Sequence, residues 1–125
     1  MDSAFTLDFS RTDDGLLCAR VGGVRSVAST IAYWEGILAE VTRGRPAGLI
    51  VLDELVGEEL AASEWKKLVV HMAGRGLEGV PIAHVKAFAF DQISYCERYA
   101  NEAGLQARAF RRESEARDWL RARPG

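Results

Sequence analysis

The chain has 125 residues, of which 48% are hydrophobic and 27% charged, with a net charge of −2 at pH 7 and an isoelectric point near 5.7. This size and composition predict one globular domain over residues 1–125. Because there is no basic excess, binding to nucleic acid or to an anionic membrane surface is not expected. No segment approaches the roughly 20 consecutive apolar residues of a transmembrane helix.

The two cysteines, Cys18 and Cys96, are isolated and have no metal-type or CxxC spacing. The N-terminal residues have neither the basic flank nor the apolar run of an export signal. Two lone thiols without an export signal are typical of a reducing compartment, so we expect a cytoplasmic protein.

The first part of the chain predicts a hairpin followed by a helix. Residues 5–9 alternate apolar and polar side chains, as a strand with one buried face does. The Asp-Asp-Gly turn at 13–15 leads into a second strand at 16–21. Ser26 is a suitable N-cap for a helix with apolar residues at helical spacing, and the Gly-Arg-Pro sequence at 44–46 ends that helix.

A central strand is predicted at residues 48–52, where an uninterrupted apolar run is typical of a strand covered on both faces. The run stops at Asp53, and we expect an acid-rich loop to follow. The next helix carries Trp65 and Met72 on its apolar side and ends near Gly74.

Three further elements complete the predicted domain. A strand is expected to start after Pro81 and to end at Phe90. The pattern Ser-x-x-Glu at 94–97 is that of a capping box and predicts the start of a helix. A short alternating segment at 106–110 indicates an edge strand. The closing helix follows the arginine pair at 111–112.

The element order is therefore ββαβαβαβα, which predicts a single-domain α/β fold with a five-stranded mixed sheet. The first strand should be antiparallel to the second, and the other pairings parallel, because short strand–helix–strand units require right-handed parallel crossovers. The side chains expected to be mostly buried are Ile31, Trp34, Leu38, Leu49, Val51, Trp65, Leu68, Val85, Phe110 and Trp119.

This pattern resembles the SpoIIAA-like superfamily, which includes STAS and SEC14-type domains. The likeness rests on the element order, the apolar strand ending in Leu52-Asp53, the tryptophan helix around Trp65, and the closing sequence Glu-Ala-Arg-Asp-Trp-Leu at 115–120. The resemblance implies a role like those of the family members: anti-sigma-factor antagonists, cytoplasmic domains of anion transporters, and small proteins thought to hold apolar ligands.

The resemblance also implies where a regulatory phosphorylation would occur. Antagonists of the family carry a phosphorylated serine or threonine at the start of the helix after the central strand. The corresponding residues 53–59 contain no hydroxyl side chain, and Ser63 lies too far into the helix. This departure argues against a phosphorylation-switched antagonist and favours the less characterised branch of the family.

Ligands of open α/β sheets bind at the carboxyl ends of the strands. In the predicted fold this edge gathers acidic residues after the central strand, the end of the next strand, and the arginine pair before the closing helix. Aromatic side chains from the neighbouring helices would wall the same cleft. The predicted ligand-binding residues are Asp53, Glu54, Trp65, Phe90, Asp91, Tyr95, Arg111 and Arg112.

Each part of this edge has a functional and a structural interpretation. The carboxylates of residues 53–64 could bind Mg²⁺ or act as acid and base, although a solvated loop is the favoured interpretation. Arg111 and Arg112 could bind an anionic headgroup, or could be ordinary surface arginines. The aromatic residues could enclose a pocket on the order of 300 Å³ or could be core. His71 and His84 are interpreted as structural or surface residues.

We therefore expect a cytoplasmic, non-catalytic domain, without a metal or cofactor, that binds a small apolar or amphipathic molecule or a partner protein, including a second copy of itself. One alternative is an interaction module without a ligand, marked by an exposed apolar patch on the first hairpin or around Tyr33 and Trp34. The other is a small enzyme that uses the carboxylates near Asp53, which a pocket enclosing a carboxylate of strongly raised pKa would favour.

Overall fold

A computed structural model describes residues 5–87 and 90–122, apart from the side chains of residues 90–92. In chain order the elements are β1 (Phe5–Arg11), β2 (Leu16–Val24), α1 (Val27–Arg43), β3 (Gly48–Val56), α2 (Ala62–Met72), β4 (Ile82–Val85), α3 (Phe90–Glu102), β5 (Ala107–Phe110) and α4 (Glu113–Ala122). None of the helices in these residues has the length and apolar character needed to cross a membrane.

The five strands form one mixed sheet in the order β1-β2-β3-β4-β5. β1 pairs antiparallel with β2, and every other neighbouring pair is parallel. The predicted element order, strand directions and central position of β3 are therefore confirmed.

The two faces of the sheet are covered unequally. α1, α2 and α3 pack on one face and form the larger core cluster, which includes Tyr33, Trp65 and Ile93. Of the helices that the structure describes, α4 alone packs on the other face, where Ala116 and Leu120 bury Ile50 and Leu52 from β3. The uneven cover leaves part of the second face of the sheet exposed.

The predicted hairpin and the first helix start as the sequence indicates. Gly15 adopts a φ of 88° in the turn between β1 and β2, a conformation that glycine tolerates without strain. Ser26 caps α1: its hydroxyl accepts a hydrogen bond from the backbone N–H of Ser29, and the Ser29 hydroxyl accepts one from the N–H of Ser26, both at 2.9 Å.

Two predicted boundaries are wrong. β3 does not stop at Asp53 but continues to Val56, because buried cations compensate the charge of Asp53 inside the sheet. β4 ends at Val85, and Phe90 is the first residue of α3 rather than the last of a strand.

The predicted capping box at residues 94–97 is wrong for a related reason. Because α3 begins at Phe90, Ser94 lies within the helix and not at its start. Glu97 instead accepts a hydrogen bond from the backbone N–H of Ala109 in β5. This residue therefore satisfies a donor of a neighbouring strand rather than a helix N-terminus.

Most of the predicted core is buried, with three exceptions. Ile31 is half-buried because it lines a groove between α1 and α2. Phe110 and Trp119 are also half-buried, with ring centroids 5.7 Å apart. They lie on β5, an edge strand, and on α4, where the described part of the chain covers the sheet less completely than on the opposite face. The seven predicted core residues that are buried are Trp34, Leu38, Leu49, Val51, Trp65, Leu68 and Val85.

Candidate functional site

A cluster of charged side chains surrounds Asp53 inside the protein. The Asp53 carboxylate is fully buried and forms an ion pair with the equally buried Arg25. It accepts a hydrogen bond from the backbone N–H of Leu55 at 3.1 Å. His84 Nε2 lies 2.8 Å from the carboxylate, and Lys86 Nζ lies 3.5 Å from it. Four different groups therefore stabilise one buried negative charge.

The register of the sheet brings these groups together. His84 of β4 lies opposite Val51 of β3, and Asp53 follows Val51 by two residues on the same face. Lys86 follows His84 by two residues and continues along that face. Arg25 comes directly after β2, where its backbone N–H donates to the last residue of β3 at 2.8 Å. The cluster therefore lies near the carboxyl ends of three adjacent parallel strands.

The partners of Asp53 keep its carboxylate ionised. Burial is the largest single influence on the pKa of Asp53 and raises it, because a charged group is less stable out of water. The hydrogen bond and charge of His84, together with the charges of Arg25 and Lys86, outweigh burial and hold the pKa well below its usual range. The raised pKa that would favour the enzyme alternative is therefore not found at Asp53.

Glu59 brings a second carboxylate to the cluster from the segment between β3 and α2. Its side chain is 13% exposed, and its oxygens lie 3.9 Å from Arg25 Nε and 3.9 Å from Lys86 Nζ. Both distances are too long for hydrogen bonds. The two carboxylates balance the charges of Arg25 and Lys86, but only Asp53 is bonded to them closely.

Aromatic rings enclose the cluster on the face of the sheet that α1, α2 and α3 cover. The guanidinium carbon of Arg25 lies 5.2 Å from the ring centroid of Trp65, which is a cation–π contact. The rings of Trp34 and Trp65 are edge-on to the His84 ring, with centroids 6.2 and 6.3 Å away. Trp65 therefore borders the ion cluster instead of an open ligand cleft.

Several buried polar atoms around the cluster have no hydrogen-bond partner among the described residues. They are Arg25 Nε, Tyr33 Oη, Trp34 Nε1, Glu59 Oε1, Trp65 Nε1 and His84 Nδ1. Buried polar groups are nearly always paired, with protein or with water. Their concentration around one cluster shows that its hydrogen-bonding capacity is not fully used by the described residues.

The enclosed space on this side of the sheet is small. A cavity of about 30 Å³ is lined mainly by apolar side chains, with Trp34, His84 and Cys96 among them. Such a volume accommodates a water molecule or two, not a lipid. Burial raises the pKa of the Cys96 thiol to about 12, with a further contribution from the negative charge of Asp53, so this thiol stays protonated.

The predicted aromatic pocket is not formed by Trp65 and Tyr95. Tyr95 is 38% exposed, whereas Trp65 is fully buried. Because α3 starts at Phe90, its buried side contains Ile93 and Cys96, and Tyr95 falls on the solvent side. The side chains of Phe90 and Asp91 lie outside the described residues, so their predicted contribution stays a prediction.

The five carboxylates of residues 53–64 do not converge on one site. Asp53 and Glu59 belong to the buried cluster, so the interpretation of a wholly solvated loop is wrong for these residues. Glu54 points to the opposite face of β3, and Glu64 accepts a hydrogen bond from the backbone N–H of Ala61 at the start of α2, at 2.8 Å. In the described part of the chain, no group of three or more His, Cys, Asp or Glu side chains is placed to hold a metal ion.

A depression on the α4 side is lined by three of the predicted site residues, although the Asp53 side chain itself is buried in the cluster on the opposite face. Its volume is about 240 Å³, and Asp53, Glu54 and Arg111 are among the residues that line it. Glu54 forms a surface ion pair with Arg20 at 2.6 Å. Arg112 is exposed and is not among the lining residues. Anion recognition by the arginine pair stays a prediction.

Apolar side chains are exposed at the carboxyl end of β2 and β3. Val24 and Val56 are neighbours in the register of these strands, and they are 53% and 50% exposed. Val27, the first residue of α1, is 41% exposed. We refer to Val24, Val27 and Val56 as the valine surface. The alternative location around Tyr33 and Trp34 is wrong, because both side chains are buried.

A groove between α1 and α2 adjoins the valine surface and shares Val27 with it. Its volume is about 320 Å³. Val27, Ile31, Leu60 and Leu68 provide its apolar lining, and its polar lining consists of Thr30, Glu64, Lys67 and His71. The groove is bounded by helices rather than by the carboxyl edge of the sheet.

Sequence reasoning missed Arg25, His84 and Lys86 as partners of Asp53. One signal was available: His84 and Lys86 alternate with apolar residues within the strand that is predicted after Pro81, beside the buried central strand. Two polar side chains on the same face of such a strand require a buried partner. Arg25 gave no comparable signal, because the turn before a helix ordinarily contains charged residues.

Comparison with known proteins supports the fold. RsbS S58E of Moorella thermoacetica has a similar structure, with a TM-score of 0.51 and 16% identity over 92% of this chain and 94% of that one. The chain has a SpoIIAA-like (STAS) fold. No protein-family model matches the sequence, and no curated protein does. Membership of the SpoIIAA-like superfamily, and of any branch of it, stays a prediction.

Proposed function

We propose that this STAS-fold domain is a non-catalytic interaction module, and that it binds a partner protein through the valine surface and the adjoining groove. The observation that carries the proposal is the exposure of two valines at the carboxyl ends of β2 and β3, at 53% and 50%, and of a third at the start of α1, at 41%. A contiguous exposed apolar patch with a polar rim is typical of a protein-binding site.

The size of the valine surface indicates how much more the partner must cover. Burying three half-exposed valines contributes only about 2 kcal/mol by the area relation for apolar surface. Association costs at least about 4 kcal/mol in lost freedom of motion. A stable complex therefore also requires the groove between α1 and α2, where Ile31 and Leu68 provide further apolar contact and Lys67 provides a charge.

The ionised state of Asp53 favours this proposal over the enzyme alternative. A carboxylate saturated by four donors has no proton to give and no free lone pair directed at a substrate. The two cysteines are both free thiols, and a cytoplasmic location remains part of the proposal.

Site-specific photo-crosslinking in the native cells tests the proposal. A photoreactive amino acid replaces Val56 in one variant and Val70 in the other, because Val70 of α2 is also exposed, at 65%, and lies outside the valine surface. We expect a discrete crosslinked partner at position 56 but not at 70, and its loss in a Val24→Asp background. The same crosslinked species at both positions would contradict the proposal.

The groove also favours a second candidate function, the binding of an amphipathic molecule. Its volume of about 320 Å³ and its apolar lining suit a short acyl chain, and Lys67 suits an acidic headgroup. A titration with dodecanoate, followed by chemical shifts of α1 and α2, tests this function. Lys67→Glu should weaken binding, whereas Lys66→Glu, an exposed neighbour outside the groove, should not. Equal effects of the two variants would exclude a headgroup role for Lys67.

A further inference from the structure

Glu59 lies against a recess between two cationic side chains, Arg25 and Lys86, without a hydrogen bond to either. The side chains of Arg25 and Lys86 are fully buried, and both face the Glu59 carboxylate across 3.9 Å. Charge-assisted N–H···O bonds are shorter than this by about 1 Å. Glu59 Oε1 and Arg25 Nε consequently have no hydrogen-bond partner within the described residues.

The other polar groups of the cluster form hydrogen bonds with partners other than Glu59. Arg25 directs one terminal nitrogen to Asp53 and the other to the Thr30 hydroxyl at 3.2 Å, and its Nε–H has no hydrogen-bond partner among the described residues. Lys86 Nζ donates to the backbone carbonyl of Leu55 at 2.8 Å. The Asp53 carboxylate is already held by four partners and cannot also serve the Arg25 Nε–H.

The surroundings of the recess favour an anion over a neutral group. The guanidinium of Arg25 lies over the Trp65 ring, which shields it from water, and the indole N–H of Trp65 is another unpartnered donor. In such a low-dielectric place an oxyanion at hydrogen-bond distance from two cations is strongly stabilised. In the described residues the Arg25 Nε–H has no acceptor, and the nearest Glu59 oxygen lies 3.9 Å from it.

We infer that the recess between Arg25 and Lys86 is a binding site for an external carboxylate, and that Glu59 is its internal competitor. The external carboxylate would bond to Arg25 Nε–H while the Glu59 side chain turns outward. The segment that carries Glu59 permits this movement: Gly57, with a φ of 103°, and Glu58 are exposed, and α2 begins only at Ala62.

This inference goes beyond the proposed function, since it assigns a ligand class to a buried site separate from the valine surface. The carboxylate could belong to a free metabolite or to an acidic side chain of a partner protein. The chemistry of recognition is the same for both, so the test uses formate for the first source and N-acetyl-glutamate amide for the second.

Removal of the internal competitor is the central experiment. Glu59→Ala should bind formate with an apparent affinity roughly tenfold or more above that of the wild type, because a tethered carboxylate competes at an effective concentration in the millimolar range or higher. Binding is followed by the side-chain N–H resonances of Arg25 and Trp65, at ionic strength matched with sodium chloride. Glu58→Ala, which removes an adjacent exposed carboxylate, is the matched control and should behave as the wild type.

The binding results distinguish a free carboxylate from a partner side chain and can also exclude the site. A gain for formate alone assigns the site to a free carboxylate, and an equal or larger gain for N-acetyl-glutamate amide assigns it to a partner side chain. Identical weak responses in the wild type and both variants, or binding that leaves the Arg25 resonance unchanged, would overturn the inference.

Glu59→Gln provides a second test in case Glu59→Ala does not fold in plain buffer. Glu59→Gln keeps the shape of the side chain and should also gain affinity for formate. If Glu59→Ala is unfolded, recovery of its fold by formate but not by chloride supports the site. Failure of formate to restore the fold contradicts it. The crosslinking experiment on the valine surface is independent of all these results.

Discussion

Replacing Asp53 by asparagine should be among the most damaging conservative substitutions in this domain. The change keeps the shape of the side chain but removes the carboxylate charge closest to Arg25 and Lys86, whereas Glu59 lies 3.9 Å from both. Removing one partner of a buried ion pair typically costs about 3–5 kcal/mol. Since domains of this size are stable by only about 5–15 kcal/mol, Asp53→Asn should lose a large share of its stability.

Glu54→Gln is the matched control, since it makes the same chemical change one residue away. Glu54 forms only a surface ion pair, in which both side chains are about half exposed, so its loss should cost less than about 1 kcal/mol. Urea denaturation of the wild type and both variants measures the loss in free energy of unfolding, and equal m values show that the three unfolding transitions are comparable. A cost below about 1 kcal/mol for Asp53→Asn, or equal costs for the two variants, would refute the proposed role of the cluster.

Two further predictions concern the helices. Trp65→Ala should lower the free energy of unfolding by about 3–5 kcal/mol, whereas Trp119→Ala, at a half-buried position, should lower it by about half as much. Chemical denaturation of the two variants measures these losses, and a larger loss for Trp119→Ala would contradict the described packing. Hydrogen bonds from Arg75 and then from His71 lower the pKa of Glu35 from 4.5 to about 2 and link α1 to the end of α2. Because the folded pKa is depressed, this link contributes its full stability above pH 4.5 and loses it as the pH falls towards 2. The difference in unfolding free energy between the wild type and Glu35→Gln should shrink over that range, and a difference independent of pH would show that the link is not ionic.

The fold could be predicted because its signals are local. The turn at residues 13–15 predicts a hairpin, and the apolar run at 48–52 predicts a doubly covered strand. The short spacing of the later elements leaves parallel pairing as the remaining topology. The end of β3 could not be predicted in the same way. A charged residue such as Asp53 resembles the end of a strand unless its partners are known, and these come from distant parts of the chain.

The candidate site, like the fold, could be predicted from the sequence only in part. Asp53, Glu54 and Arg111 line one depression at the carboxyl edge of the sheet, and ligand binding at this edge stays a prediction. The roles of single residues depended on where α3 starts. A shift of its start to Phe90 places Tyr95 on the solvent side, and neither sequence spacing nor composition indicates that shift.

The burial of Asp53 makes the assembly of the sheet concerted. Its side-chain partners Arg25, His84 and Lys86 are 28, 31 and 33 positions away in the sequence. A substructure of β1 to β3 would hold the carboxylate in an apolar setting with only one of these partners, at a cost of several kcal/mol. During synthesis, the first half of the chain therefore cannot settle into its native arrangement until Lys86 has left the ribosome. A fragment that ends before β4 should remain unfolded even though it contains the central strand.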